Sequence, residues 1–502
     1  MRMLAGVPGP GKPAAGNQWT GAFMRTNAQQ RVTTRFRWPR RRAIWAGATT
    51  LAAGVLAAGS IAATSASAAS APAKAGNSGT ISISKSYFGS TVEPYTGKET
   101  STYEYTMSNA DGMKVQLLSY GGIVRAIDVP GANGTTTDVV LGFQNLQDYV
   151  SQDSPPVTVN GGPYFGETVG RYANRLAKGT FALKQPDGQT ETYTVPVNNG
   201  GNSLHGGVVG FGQHVWSQAA LIRTSDEAGV TLQLVSPNGD DGYPAGSTAE
   251  GCPNGCTGFP AQVTTDVTYT LNNNNQFEIH YSAHNDSYYG ANNPNNLNTV
   301  INLTNHSYFN LDGAASPPGS AYSQKVQINA NTYSPDDATE IPLGPSESVK
   351  GTPFDFTTPQ TVGSRIDDVS MPENVPSSYN SETDGESQLA IAEGYDFNWV
   401  LNKQTEATTG PDGLNLAAHA WDPSSGREMT VWTDQPGVQF YSGNFLTGTL
   451  TGGIDGTTYR QGAGYTFETQ HFPNSPNEPS YPSTELDAGQ TFTTSTVFAF
   501  SW

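Results

Sequence analysis

The sequence predicts an all-β fold, one large β-sandwich, on three observations. Short runs rich in β-branched and aromatic residues recur at hairpin-like intervals, as at 192–195, 230–235, 262–271 and 277–282. Between them the chain is punctuated by Gly, Asn, Asp and Pro, with 57 Gly and 33 Pro in all. No window keeps a helical apolar period beyond about three turns, which argues against alternating βα units and an α/β enzyme.

The amino-terminal stretch stands apart from this pattern. Residues 1–68 hold nine Lys/Arg and no acid, and Arg35, Arg37, Arg40, Arg41 and Arg42 precede the small, apolar run 43–63. Ala66-Ser-Ala68 then offers a small-x-small cleavage site, completing the order of a secretory signal. Cleavage after Ala68 and a secreted, extracellular product are expected, with Met24 as an alternative start. Residues 69–80 are rich in Ala, Ser and Gly and are expected to form a disordered leader. Residues 81–502 are expected to form a single domain, because no linker or internal repeat interrupts them.

The full chain carries 25 Lys/Arg and 43 Asp/Glu. Without its first 68 residues it keeps 16 Lys/Arg against 43 acids, a net charge of −27. Such a surface repels nucleic acid and anionic membranes and offers no basic patch for phosphate. After signal cleavage no membrane association is expected, and the product is expected to be a monomer. Cys252 and Cys256 are the only cysteines, and in an exported chain a local disulfide is their first reading. The stretches 244–260 and 367–394 read as surface insertions.

Polar and catalytic-type residues gather at a few places, taken in chain order. Residues 166–179 place Arg171, Asn174 and Arg175 in a Gly-bounded segment; a guanidinium offers a planar fork of donors for hydroxyl or carboxylate oxygens. In 198–207, His205 sits in a glycine-rich turn, where the missing Cβ atoms would let the backbone approach a ligand. Residues 301–311 read as one strand with Ile301, Leu303, Phe309 and Leu311 on a dry face. The opposite face carries Asn302, Thr304, His306, Tyr308 and Asn310. A histidine among hydrogen-bonding groups on a strand face suits a sugar or another polyol, and Asn302, Thr304 and Tyr308 are expected to line or support its cleft.

Further on, alternation in 395–401 buries Tyr395, Phe397, Trp399 and Leu401 and turns Asp396 and Asn398 the other way. Gln439 and Glu468 follow on two more β-type runs, with Glu468 sharing a face with Thr466 and Gln470. Together these stretches hold histidines, carboxylates, an arginine and amides, an acid/base inventory with hydroxyl-binding groups. No Gly-x-Ser-x-Gly elbow, phosphate loop or His-Glu-x-x-His occurs, which removes the commonest serine-hydrolase, NTPase and zinc-protease readings. No metal site is expected. A glycoside hydrolase using Asp396 and Glu468, or a non-catalytic carbohydrate-binding sandwich, stays open at this point.

The chain resembles the aldose 1-epimerase (galactose mutarotase) family. The resemblance runs in order through Leu118-Ser-Tyr-Gly-Gly122, Asp138-Val-Val-Leu-Gly-Phe143, Gly170-Arg-Tyr-Ala-Asn-Arg175 and Leu204-His-Gly-Gly207. It continues through Asn302-Leu-Thr-Asn-His-Ser-Tyr-Phe-Asn310, Gly351-Thr-Pro-Phe-Asp-Phe356, Gln435-Pro-Gly-Val-Gln-Phe-Tyr441 and Phe467-Glu-Thr-Gln470. It implies a galactose mutarotase-like supersandwich with an open sugar cleft, a monosaccharide substrate and no cofactor. It further implies His306 as general acid and Glu468 as general base. Arg175 and His205 would hold the sugar near its ring oxygen; Asn174, Asp396 and Gln439 would bind its hydroxyls. Where the family usually has a histidine after the aspartate, this chain has Phe397. The proton exchange is expected to pair a histidine near its ordinary pKa of about 6.5 with an ionised Glu468.

Overall fold

Alternation with a period of two gives most strands one dry face, and the two largest sheets bury these faces against each other. The structure, a computed structural model, describes residues 80–153, 162–242, 251–252, 254–287, 296–368, 387–405 and 408–502. The expected export segment and residues 69–79 of the leader lie outside these residues, as do parts of both insertions.

The larger sheet has nine strands in the order Ser217–Arg223, Glu227–Ser236, Val263–Asn272, Gln276–Asn285, Thr491–Ser501, Glu428–Thr433, Asn415–Trp421, Lys325–Ile328 and Gln360–Thr361. The second sheet has six, in the order Tyr308–Phe309, Tyr465–Gln470, Gly437–Tyr441, Asp396–Leu401, Ala330–Ser334 and Glu347–Ser348. Every pairing in the six-stranded sheet is antiparallel. Val431 and Phe498 of the larger sheet share one hydrophobic cluster with Phe309, Trp399, Phe440 and Phe467 of the smaller. The Phe309 and Phe498 rings meet across the interface at 5.2 Å between centroids. This is the expected all-β sandwich. A five-stranded sheet, from Ser82–Glu93 to Thr136–Asp138, adds Tyr105, Val115 and Ile127 to the same core.

The segment 301–311 departs from the expected single strand. Thr304–Asn305 pairs with Thr168–Val169, whereas Tyr308–Phe309 pairs with Tyr465–Gln470. The break is local chemistry. Asn305 Oδ1 accepts from both Ser307 N at 3.2 Å and Ser307 Oγ at 2.6 Å, a side-chain turn that competes with the ladder. His306 therefore sits at the interruption, held by its N–H on Glu167 O and its carbonyl on Gly166 N, both 3.0 Å. The expected dry face survives the break: Ile301, Leu303, Phe309 and Leu311 all lie in the core.

Cys252 and Cys256 form a disulfide. Its loop leans on the segment that leads to His205, with Val197 N donating to Gly251 O at 3.2 Å.

Candidate active site

Three pieces of local structure build the site on the outer face of the six-stranded sheet. In Tyr465–Gln470, Tyr465 and Phe467 enter the core, so Glu468 turns outward beside Thr466. In Asp396–Leu401, the inward Phe397 and Trp399 turn Asp396 the same way. Pairing sets Gln439 opposite both Glu468 and Asn398 on its two neighbouring strands.

The third piece is a turn. Asn198 receives Leu204 N at 2.7 Å and donates to Leu204 O at 3.1 Å and Gly207 O at 2.9 Å, which closes the 198–207 loop on itself. Leu204 then pairs with Arg175, bringing His205 beside Asn174. His205 takes a left-handed φ of 53°. Gly206 follows at φ 92°, and a Cβ there would stand 2.1 Å from Gly170 O. The expectation that the glycines admit a ligand is thus corrected at Gly206, where the close neighbour is the protein's own backbone.

These pieces enclose an open cleft of about 650 Å³. Asn174, Arg175, His205, His306, Asp396 and Glu468 line it, together with Tyr164, Tyr308, Glu340 and Tyr441. Gln439 does not. It is buried and donates through Nε2 to Asp396 Oδ1 at 2.8 Å, so it orients that carboxylate. Asn302 also stays behind the wall, receiving His471 N at 3.0 Å on Oδ1. Thr304 is buried away from the lining. Of the three expected supports, only Tyr308 faces the cleft.

At the centre, His306 Nε2 stands 3.5 Å from Glu468 Oε1, with side chains only 5% and 2% exposed. Thr466 Oγ1 donates to the same Glu468 oxygen at 3.0 Å. Burial pushes Glu468 up to about 8, helped by the neighbouring Asp396 charge and opposed by Thr466 and Arg175. Burial likewise lowers His306 to about 3. The expected ionised glutamate beside a histidine near 6.5 is therefore corrected: burial favours the neutral form of both groups. Both shifts favour a protonated Glu468 carboxyl beside a neutral His306. Asp396 rises to about 6, through burial and then the Glu340 charge.

His205, His306 and Glu468 place one ligand-type atom each within 4.8 Å of one another, close enough together for a metal ion. Hydrogen bonding argues against that use. Asn174 N donates to His205 Nδ1 at 3.2 Å, which fixes the proton of the neutral ring on Nε2. Burial, then His306 and Arg175, hold His205 well below its ordinary pKa, so the ring stays neutral. Its outward atom is an N–H donor and has no lone pair to give a metal.

Three lining residues escape the sequence reading. Tyr164 packs edge-on against His205 at 4.6 Å between ring centroids; its only signal is the Gly-Gly-Pro turn before it. Tyr441 closes a quoted motif without having been singled out. Glu340 forms an ion pair with Arg175 Nη2, and no periodicity or motif marks it.

A β-sandwich whose cleft presents a buried acid/base pair, amides and, among the described residues, one lining arginine defines a carbohydrate-directed acid/base enzyme. The chain belongs to the aldose 1-epimerase family, whose profile matches residues 103–499. Galactose mutarotase from Sus scrofa is 34% identical over 421 residues, covering 84% of this chain and 99% of the relative. Aldose 1-epimerase from Escherichia coli strain K12 is 30% identical over 397 residues, covering 79% of this chain and 94% of the relative. Among solved structures, galactose 1-epimerase from Lactobacillus acidophilus NCFM superposes with a TM-score of 0.61 at 23% identity, covering 84% of this chain and 99% of that one. An aldose epimerase homologue from C. elegans gives 0.59 at 26% identity, covering 78% and 97%. The chain is accordingly an isomerase that interconverts the anomers of aldoses.

Proposed function

We propose that the chain acts on free aldohexoses such as glucose and galactose, with Glu468 and His306 as its acid/base pair. The observation that carries this reading is the 3.5 Å approach of His306 Nε2 to Glu468 Oε1 inside a cleft walled by hydroxyl-binding groups. Ring opening needs a proton taken from the anomeric hydroxyl and one given to the ring oxygen, two atoms joined through the same carbon. Facing acid and base atoms suit that task. Glu468 accepts the O1 proton as the C1–O5 bond breaks, and His306 donates to O5, leaving the open-chain aldehyde. Rotation about C1–C2 presents the other carbonyl face, and closure returns both protons to their donors.

Ring opening starts from Glu468 carboxylate and His306 imidazolium, and leaves Glu468 carboxyl and neutral His306. Both arrangements hold one proton and differ by a single transfer, and the one that burial favours is the one ring closure uses. Sugar hydroxyls that donate to Glu468 stabilise its carboxylate and bias the pair toward opening. Arg175, Asn174 and Asp396 bind hydroxyls in this reading, His205 donates through Nε2, and Gln439 acts through Asp396.

Polarimetry on freshly dissolved α-glucose and α-galactose tests the assignment. His306→Ala and Glu468→Ala are each expected to lose roughly 10²- to 10⁴-fold in catalysed rate with the fold retained. A near-wild-type rate in either purified variant refutes the assigned roles.

We also propose that the protein is exported and acts as a monomer free of membrane. The order of basic, apolar and small residues in 1–68 supports export. Among the described residues no helix is long and apolar enough to cross a membrane. Amino-terminal sequencing of the secreted product, expected to begin near Ala69, tests the first point, and sedimentation tests the second.

A further inference from the structure

We infer that Glu340 is a further substrate-contacting residue, a hydroxyl acceptor that helps decide which aldoses the cleft holds; this rests on the aldose reading above. Neither the sequence patterns nor the resemblance marks this residue, and its case is geometric.

The turn that carries Glu340 is tightly built. Asp337 Oδ1 accepts from Thr339 N and Thr339 Oγ1, both at 2.7 Å, and from Ile341 N at 3.1 Å. Glu340 N donates to Asp337 O at 2.9 Å. Asn202 Nδ2 donates to Thr339 O at 3.0 Å, which ties the turn to the loop that carries His205. Glu340 takes a left-handed φ of 61°, an uncommon conformation for a glutamate, and lines the cleft with Ala338 and Thr339.

Its two carboxylate oxygens have different surroundings. Oε2 pairs with Arg175 Nη2. Oε1 is buried and has no hydrogen-bond partner among the described residues. Buried polar atoms are normally satisfied, so an unpaired carboxylate oxygen in the wall of a polyol site points to the ligand as its partner. Position supports this. The Glu340 charge acts on Asp396, and Arg175 acts on both. Two carboxylates and a guanidinium, close enough to act on one another, thus share the lining of the cleft. A pyranose carries a run of vicinal hydroxyls, each donor and acceptor, and such an array is complementary to them. The rival role is narrower: Glu340 as counter-ion of Arg175 and nothing more.

Deoxy sugars separate the two roles. Catalytic efficiency is measured by polarimetry for glucose and galactose and for their 2-, 3-, 4- and 6-deoxy analogues. The proteins compared are the wild type, Glu340→Ala and Glu340→Gln. A hydroxyl acceptor predicts that Glu340→Ala lowers kcat/KM for the parent aldose roughly 10- to 100-fold, the effect of removing a hydrogen bond to a charged group. For one deoxy analogue alone, the wild type and Glu340→Ala are expected to differ by no more than about twofold, because the interacting hydroxyl is already gone. Glu340→Gln keeps an acceptor oxygen without the charge and is expected to fall between. Should Glu340→Ala fail to fold, Glu340→Gln carries the same comparison with a smaller drop. An equal drop for every analogue, or no drop for the parent sugars, overturns the inference. A wild type that binds aldoses without accelerating their mutarotation overturns the functional reading instead, and the same series read as dissociation constants by calorimetry then decides the role of Glu340.

Discussion

Arg171 and Arg175 lie four residues apart in one short segment and are about equally buried, at 1% and 4% exposure. Their donors are spent differently. Arg171 donates through Nη1 to Pro260 O at 2.7 Å, Ala261 O at 3.0 Å and Thr299 Oγ1 at 3.3 Å. Its Nη2 reaches Ser236 O at 3.2 Å and Pro237 O at 3.0 Å, and Nε reaches Ser236 Oγ at 3.1 Å. Arg171 ties three distant stretches together through groups the fold already fixes. Arg175 instead donates to two side chains of cleft-lining residues, Asn199 at 3.2 Å and Glu340. Burial alone therefore does not separate a structural arginine from a functional one; the destination of its donors does.

The same substitution at both positions is the most direct way to break this contrast. Arg171→Lys keeps the charge but supplies three donors where six acceptor atoms are now bonded, stranding buried acceptors. It is expected to cost about 2–4 kcal/mol of stability by urea denaturation, with kcat/KM of the folded protein near wild type. Arg175→Lys is expected to do the opposite, lowering kcat/KM about tenfold while unfolding shifts by less than about 1 kcal/mol. Equal losses of stability at both positions would erase the distinction.

The cleft side of the contrast also titrates. Glu468 is raised to about 8, so the pair keeps its single proton below that pH and loses it above. The catalysed kcat/KM is expected to be level between about pH 6 and 8 and to fall tenfold per unit above 8. Below about 6, Asp396 takes up a proton and KM is expected to rise. Polarimetry corrected for the spontaneous reaction at each pH measures both limbs; a plateau continuing to pH 10 contradicts the raised glutamate.

The smallest expected effect belongs to Gln439. Losing its 2.8 Å hydrogen bond to Asp396 in Gln439→Ala is expected to raise KM several-fold, about 0.5–1.5 kcal/mol, with kcat little changed. An equal fall in kcat would place Gln439 nearer the reacting atoms than its buried position does.

Much of the site was legible because strand alternation is a local property. The apolar residues that alternate with Asp396 and Glu468 along their strands turn both outward, and the structure keeps that arrangement. Alternation puts His306 on the polar side of 301–311, and it lines the cleft even though the strand is interrupted. The interruption came from the Asn305 side chain, a competitor of the ladder that periodicity does not register. Glu340 escaped because turn residues have no face to read. The resemblance points Gln439 at the sugar's hydroxyls; its side-chain N–H to Asp396, at 2.8 Å, is a contact that only the packed strands reveal.

By itself the sequence determined the all-β class, the dry side of each strand and the inventory of acids, bases and donors, since these depend on neighbours along the chain. Tertiary structure alone decided that His306 and Glu468, 162 residues apart, face each other at 3.5 Å. It decided which arginine the fold consumes and which it leaves in the cleft. It also raised the Glu468 carboxyl and lowered the His306 imidazole, because burial is set by everything packed around a group and hardly at all by the residues beside it in sequence.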